Sequence, residues 1–240
     1  MPRVLFTGGG TAGHVTPNIA LLEAAIGKNW DVAYVGSTAG IEREMIGVLG
    51  IPYYAVASGK LRRYFSWQNF IDPFFILWGM LQSLVLCLRL RPDVVFSKGG
   101  VVAVPLVVAA WLLRVPVISH ESDVTPGLAN RLTYPFCRKI CVTFEATKRY
   151  LPGGKVNVTG TPVRQSLVAG DAAAGLKFLG FSGEKPVLLV FGGSLGAAAI
   201  NSQTRRALPG LLQAFDVVHV VGNGNLEASI EQSGSVKHYV

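Results

Sequence analysis

The chain has 240 residues, 50% of them apolar and 15% charged, with mean hydropathy +0.41, a formal charge of +8 and a pI near 9.6. That balance fills a core easily, and a basic yet apolar chain suggests an anionic membrane surface as readily as nucleic acid. The lack of a basic run with interleaved aromatics excludes a nucleic-acid module. Three cysteines, Cys87, Cys137 and Cys141, form no C-x-x-C pair, which points to a reducing compartment rather than a disulfide framework or a zinc site.

A short apolar run, Val4-Leu-Phe6, is placed like a buried strand. Gly8-Gly-Gly-Thr-Ala-Gly-His14 follows, and a helical pattern begins near Ile19. Strand, glycine loop and helix N-terminus in that order suit an anionic ligand, because main-chain N–H groups and a partial positive charge converge there. Gly8-x-Gly10-x-x-Gly13 also fits the dinucleotide fingerprint. That reading needs an acidic residue at the end of the second strand, and Val32–Val35 ends instead in Gly36-Ser-Thr38. His14 at the helix start is an acid/base candidate that titrates near neutrality.

Strand and helix patterns alternate from here on, which predicts an α/β fold with a parallel sheet and helices on both faces. A helix is expected around Ile41–Leu49 and a strand at Tyr53–Val56. The connection that follows holds Lys60, Arg62, Arg63, Trp67 and Phe70. Cations beside aromatics suit an anionic bilayer surface; a solvated basic loop before a core helix is the plain alternative. The apolar stretch Phe74–Leu88 is interrupted by Gln82 and Ser83, and falls short of the roughly 20 apolar residues of a spanning helix.

A strand at Asp93–Phe96 ends in a second glycine turn, Lys98-Gly-Gly100, and one at Val115–Ile118 ends in Ser119-His-Glu-Ser-Asp123. His120, Glu121 and Asp123 are acid/base candidates; no second ligand cluster supports a metal. A helix is expected at Leu128–Tyr134 and strands at Cys141–Phe144 and Val156–Val158. Gly160-Thr-Pro-Val-Arg164 reads as a boundary, followed by a polar Gly- and Ala-rich segment from Gly170 to Gly183. The pattern then restarts with a strand at Pro186–Phe191 and the loop Gly192-Gly-Ser-Leu-Gly196. This loop also fits a nucleophile elbow, but Asp216 and His219 stand at the start and inside of the next strand, not on a strand-end loop.

The ordered set Gly8–His14 with Pro17, Gly99-Gly100 with Pro105, His120–Asp123 with Pro126–Asn130, Thr159–Arg164 and Gly192–Ala197 resembles the MurG family. Those enzymes transfer N-acetylglucosamine (GlcNAc) from UDP-GlcNAc to undecaprenyl-diphospho-MurNAc-pentapeptide in peptidoglycan synthesis. The resemblance implies two Rossmann-like domains of GT-B type facing a cleft. Residues 1–163 would be an acceptor- and membrane-binding domain and residues 164–240 part of a donor domain, incomplete here. It implies that Thr11, Ala12 and Gly13 lie along the donor, with Arg164 and Ser194 near its diphosphate and uridine. Asp123 would contact the donor where many members carry Asn. His14 and Glu121 are the candidates for acid/base work. No cofactor or metal is implied. The partners would be UDP-GlcNAc, the lipid-linked acceptor and, through Arg62, Arg63, Trp67 and Phe70, the anionic inner leaflet, which puts the protein on the cytoplasmic face of the membrane. A non-catalytic docking module, with its donor half on another chain, is the rival. Family members continue well past Val240, so weak donor binding by these residues is expected.

Overall fold

A computed structural model describes residues 1–59, 72–193, 196–226 and 236–239. It divides into two compact units, Met1–Val168 and Ala169–Val240. The connection carrying Lys60, Arg62, Arg63, Trp67 and Phe70, and also Ser194, lie outside the described residues.

The first unit is a seven-stranded sheet. In chain order its strands are β1 (Arg3–Thr7), β2 (Asp31–Gly36), β3 (Tyr53–Ala55), β4 (Val94–Ser97), β5 (Val117–Glu121), β6 (Lys139–Val142) and β7 (Val156–Val158). They lie in the order β3-β2-β1-β4-β5-β6-β7, and every neighbouring pair is parallel. The helices are α1 (Ala12–Gly27), α2 (Ile41–Gly47), α3 (Asp72–Leu90), α4 (Ala103–Leu112), α5 (Leu128–Thr133) and α6 (Gln165–Val168). Right-handed crossovers place α1 and α2 on one face of the sheet and α3 to α5 on the other. Strand alternation feeds both cores. Val4, Phe6, Val32 and Tyr34 pack with Val15, Ile19, Leu22 and Ile46. Leu5, Val35, Val95, Val117 and Ile140 pack with Cys87, Leu106, Val107 and Ala110. The order reverses between β1 and β4, and both glycine turns leave the sheet there.

The expected strand at Cys141–Phe144 sits earlier, at Lys139–Val142. The reason is burial: Ile140 and Val142 fill the core, whereas Phe144 is exposed.

The second unit has three parallel strands among its described residues, β8 (Val187–Phe191), β9 (Asp216–Val220) and β10 (Val236–Tyr239), in the order β10-β9-β8. Its helices are α7 (Ala172–Leu179) and α8 (Ala198–Ala214). Helix α7 lies within the Gly- and Ala-rich segment Gly170–Gly183, for which the sequence suggested no element. Asp171 caps it by accepting from the N–H groups of Ala173 and Ala174, and the alanines supply high helix propensity. His219 lies buried in β9 with its ring nitrogen 3.1 Å from Asn201 Oδ1, which agrees with the argument against a nucleophile elbow.

The two glycine turns of the first unit meet backbone to backbone. The Gly9 N–H donates to Gly99 O at 3.3 Å. Gly100 has φ +85°, and a Cβ there would stand 2.4 Å from the Gly9 carbonyl oxygen. Gly100→Ala is therefore expected to lower the stability of the first unit by at least the ~1–3 kcal/mol that a strained backbone costs. Urea unfolding followed by tryptophan fluorescence checks this; an unchanged midpoint contradicts it.

Candidate active site

In an open parallel sheet, ligands bind beyond the strand C-termini where the strand order reverses. Here that place is between β1 and β4, flanked by β5. Residues from the ends of all three strands, and from α1 and α2, gather there.

The first glycine turn is fastened from below and from the side. Tyr34 Oη donates to Gly8 O at 2.6 Å and accepts from Asn18 Nδ2 at 3.0 Å, while the same Asn18 amide donates to Thr7 O. Glu42, at the second position of α2, is fully buried. Its carboxylate accepts from the Gly10 N–H at 3.2 Å and from both the N–H and the hydroxyl of Ser37. Burial alone would push the Glu42 carboxyl up, but the Ser37 and Gly10 hydrogen bonds outweigh it and hold the group below the usual carboxylate range.

These contacts use donors that a phosphate loop would offer to a ligand. Gly9 and Gly10 spend their N–H groups on Gly99 and Glu42, and His14 spends its own on Thr11 O. The N–H groups of Thr11, Ala12 and Gly13 make no hydrogen bond to any described residue. They point out of the first turn of the 16-residue helix α1, where the partial positive charge of the helix adds to them. The uncommitted donors thus lie at the helix start, on Thr11, Ala12 and Gly13, rather than on Gly9 and Gly10.

His14 is half-buried. Its Nδ1 lies 3.1 Å from Gly9 O and 3.1 Å from Thr11 Oγ1. A carbonyl only accepts, so Nδ1 carries the proton and Nε2 keeps its lone pair. Burial is the largest influence on this imidazole and lowers its pKa, and Lys98 acts in the same direction. The Gly9 hydrogen bond and the Glu121 and Asp123 carboxylates pull it back only in part. His14 is a neutral imidazole near pH 7.

Glu121 ends β5 and is almost fully buried. One oxygen accepts from the Asp123 N–H at 3.0 Å, and the other from Asn130 Nδ2 and Tyr134 Oη, each at 2.8 Å. Both of its oxygens are therefore engaged. Asp123 is exposed at the same strand end, its carbonyl accepting from Thr147 Oγ1. His120 faces elsewhere: it is buried and its Nε2 donates to Gly160 O at 2.8 Å, tying β5 to the segment that leads to the second unit. Arg164 falls in the first unit, just before α6, and no hydrogen bond or ion pair joins it to His14, Glu121 or Asp123.

Thr11, Ala12, Gly13, His14, Glu121 and Asp123 thus come together at the reversal of strand order. Sequence reading missed Glu42, Lys98 and Asn130. Glu42 was within reach, because it and Glu44 open the helix after the second strand, a few residues beyond where a Rossmann acid is sought. Lys98 sat in plain view in a glycine turn but reads as a surface cation until its burial is known.

A parallel sheet with glycine turns and an open helix start at its crossover defines a class that handles phosphate-bearing ligands, and comparison with known proteins makes that class a glycosyltransferase. Residues 4–142 match the glycosyltransferase family 28 N-terminal domain. A Legionella pneumophila (strain Lens) protein named UDP-N-acetylglucosamine--N-acetylmuramyl-(pentapeptide) pyrophosphoryl-undecaprenol N-acetylglucosamine transferase is 56% identical over 230 residues, covering 95% of this chain and 63% of its own. A Bacillus cereus protein of the same name, numbered 2, is 51% identical over 239 residues, covering 100% of this chain and 68% of its own. The crystal structure of Acinetobacter baumannii MurG aligns with TM-score 0.70 and 25% identity over 99% of this chain and 65% of that one. The chain belongs to glycosyltransferase family 28, in its MurG branch, and spans about two thirds of the length of these relatives.

The depressed Glu42 carboxyl has a pH signature. A group whose folded pKa lies below its unfolded value of 4.5 stabilises the fold above that pH, and the stabilisation is lost as pH falls through the folded value. Glu42→Gln is expected to cost about 1–3 kcal/mol near pH 7. The gap from the native chain should hold constant down to about pH 5 and narrow below it. Denaturant unfolding at several pH values measures this, and a gap that is independent of pH overturns the assignment.

Proposed function

We propose that this chain contributes the acceptor half and part of the donor half of an inverting N-acetylglucosaminyltransferase. Its donor is UDP-GlcNAc and its acceptor an undecaprenyl-diphospho-MurNAc-pentapeptide. The observation that carries the reading is His14: a neutral imidazole with Nδ1 committed to Gly9 and Nε2 holding a lone pair, beside the unspent N–H groups of Thr11, Ala12 and Gly13. The names of relatives more than half identical in sequence support the choice of substrates.

In the proposed reaction the MurNAc C4 hydroxyl oxygen attacks the anomeric carbon of GlcNAc. The bond from that carbon to the UDP oxygen breaks with inversion, and the hydroxyl proton passes to His14 Nε2. The departing diphosphate gains charge, which helix N–H donors and a guanidinium are suited to stabilise. Thr11, Ala12 and Gly13 are assigned to the donor on this ground. Arg164, Ser194 and Asp123 are assigned to it by family resemblance. Glu121 takes a supporting part, because both of its oxygens already accept hydrogen bonds that hold the loop after β5. Replacing the base by alanine removes general-base assistance, typically worth about 10²–10⁴ in rate. In a full-length relative with histidine at the position of His14, replacing that histidine by alanine is expected to lower kcat by that order with little change in KM for UDP-GlcNAc. Full activity of that variant would end the assignment.

We further propose that the first unit rests on an anionic bilayer through α3. No helix among the described residues is long and apolar enough to cross a membrane. Yet the outer face of α3 is apolar. Phe74 is 71% exposed and Val85 65%, with Leu77, Trp78, Leu81 and Leu88 also exposed. The two polar residues that interrupt the stretch turn inward: Gln82 accepts from the Ala57 N–H at 2.7 Å, and Ser83 is buried. Over Phe74–Val85 the two interrupting polar groups lie inside and these apolar groups outside, the reverse of a solvent-facing helix. Exposed Trp111 and Leu112 on the neighbouring helix α4 extend the face, and Arg114, Arg138 and Lys155 line a hollow of about 420 Å³ beside Trp111. Trp78→Ser with Leu81→Ser is expected to reduce co-sedimentation with phosphatidylglycerol vesicles several-fold. Unchanged binding removes α3 from the membrane face.

A further inference from the structure

Helix α4 carries an apolar side that the membrane face uses only at its far end, Trp111 and Leu112. Its ten residues, Ala103–Leu112, include no polar side chain. A helix that is apolar all round is expected to be covered on every side. The sheet side of α4 is covered: Ala103, Leu106, Val107 and Ala110 are fully buried. The other side is not. Val101, Val104 and Val108 are half-buried, and Trp111 is exposed. At spacings of three and four residues they form one stripe. It runs about 15 Å at the helical rise, from the second glycine turn at the crossover to Trp111. Helix α5, which packs against α4, adds exposed Leu128 and Leu132, one turn apart.

The crossover end of this stripe is electropositive. Lys98 stands directly before the second glycine turn. Among the described residues its ammonium has one hydrogen-bond acceptor, Ser122 Oγ, and no ion-pair partner. The N–H groups of Gly100, Val101 and Val102 make no hydrogen bond to any described residue. They open the ten-residue helix, whose partial positive charge adds to them. A cation and uncommitted donors at one end, with apolar side chains along the rest, suit an amphiphile that has an anionic head and a hydrocarbon tail. A bilayer surface would need neither the cation at the crossover nor an apolar path leading away from it. We propose that the isoprenoid tail of the acceptor, where it adjoins the diphosphate, lies along the stripe Val101, Val104, Val108 and Trp111. Several isoprene units are then held by protein between the reacting end and the bilayer. The inference rests on the reading of the acceptor as an isoprenyl diphosphate.

The test photolabels the 240-residue chain with a diazirine-bearing farnesyl diphosphate, a soluble isoprenyl diphosphate, and maps the label after trypsin. Label is expected on Gly99–Arg114, the peptide that holds the stripe, and unlabelled farnesyl diphosphate should displace it. Inorganic diphosphate or farnesol at the same concentration should displace several-fold less, because each matches one end only. Label that falls mainly on Tyr64–Arg89, the peptide of α3, or that farnesol displaces equally well, makes the stripe part of a general membrane face and overturns the proposal. The absence of displaceable label overturns it too. Val108→Gln is expected to weaken farnesyl diphosphate binding about fivefold to tenfold and to leave co-sedimentation with phosphatidylglycerol vesicles unchanged. Trp78→Ser with Leu81→Ser should do the reverse, and variants that lose both kinds of binding in parallel contradict a separate tail path. If Val108→Gln does not fold, the labelling of the native chain decides. Turnover of an isoprenyl diphosphate acceptor by a full-length relative tests the reading of the acceptor, and labelling tests where its tail lies, so either can fail without the other.

Discussion

The Glu42 carboxylate is what the rest of the site depends on. It is buried, ionised and surrounded by donors from the Gly10 backbone and from Ser37. By accepting from the first glycine turn it fixes the path of the chain into α1. By occupying Gly10 it also removes a backbone donor from any ligand. With Gly9 committed to Gly99, the outward donors that remain are those of Thr11, Ala12 and Gly13. A glycine-rich turn is commonly taken as a phosphate cradle. Here Gly9 and Gly100 serve close approach between two turns, and the uncommitted donors lie at the helix start, where anions are favoured.

The same packing sets the state of His14. Its Nδ1 is bound to the carbonyl of Gly9, a residue pinned on its other side by Gly99. That fixes the tautomer, and with it the nitrogen that faces outward. Burial disfavours the imidazolium. The Gly9 hydrogen bond and the carboxylates at the end of β5 pull the pKa back only in part. Glu121 is restrained by Asn130 and Tyr134, and Lys98 is buried at the end of β4 with its ammonium on Ser122 Oγ. Ionisation at this site is a property of several elements that meet at one crossover, none of which determines it alone.

The two faces of the sheet serve different purposes. The α1 and α2 side carries the fastening residues Asn18, Tyr34 and Glu42. The α3 and α4 side buries the larger core and leaves an apolar surface outside it. In α3 the usual arrangement is inverted, with Gln82 and Ser83 directed inward. The same residues that break the apolar run in sequence therefore make the outer face more continuous, not less.

The sequence by itself determined the α/β alternation, the parallel sheet, the two glycine turns and the place of His14 at a helix start. These follow from local pattern: period, glycine position and strand length act over a few neighbouring residues. It also determined family membership, because an ordered set of short motifs is specific even where each is weak. Only the tertiary structure decided which donors are spent, since Glu42, Gly99 and the first turn are far apart in the chain and meet through sheet order alone. It decided likewise that His120 faces Gly160, that both Glu121 oxygens are engaged, and that Lys98 is buried. Helix α7 lies between these cases: its Asp171 cap and its alanines are legible in the sequence, but the interspersed glycines mask the helical pattern. Burial and hydrogen-bond commitment are relations between distant segments, and a residue's chemistry depends on them as much as on its type.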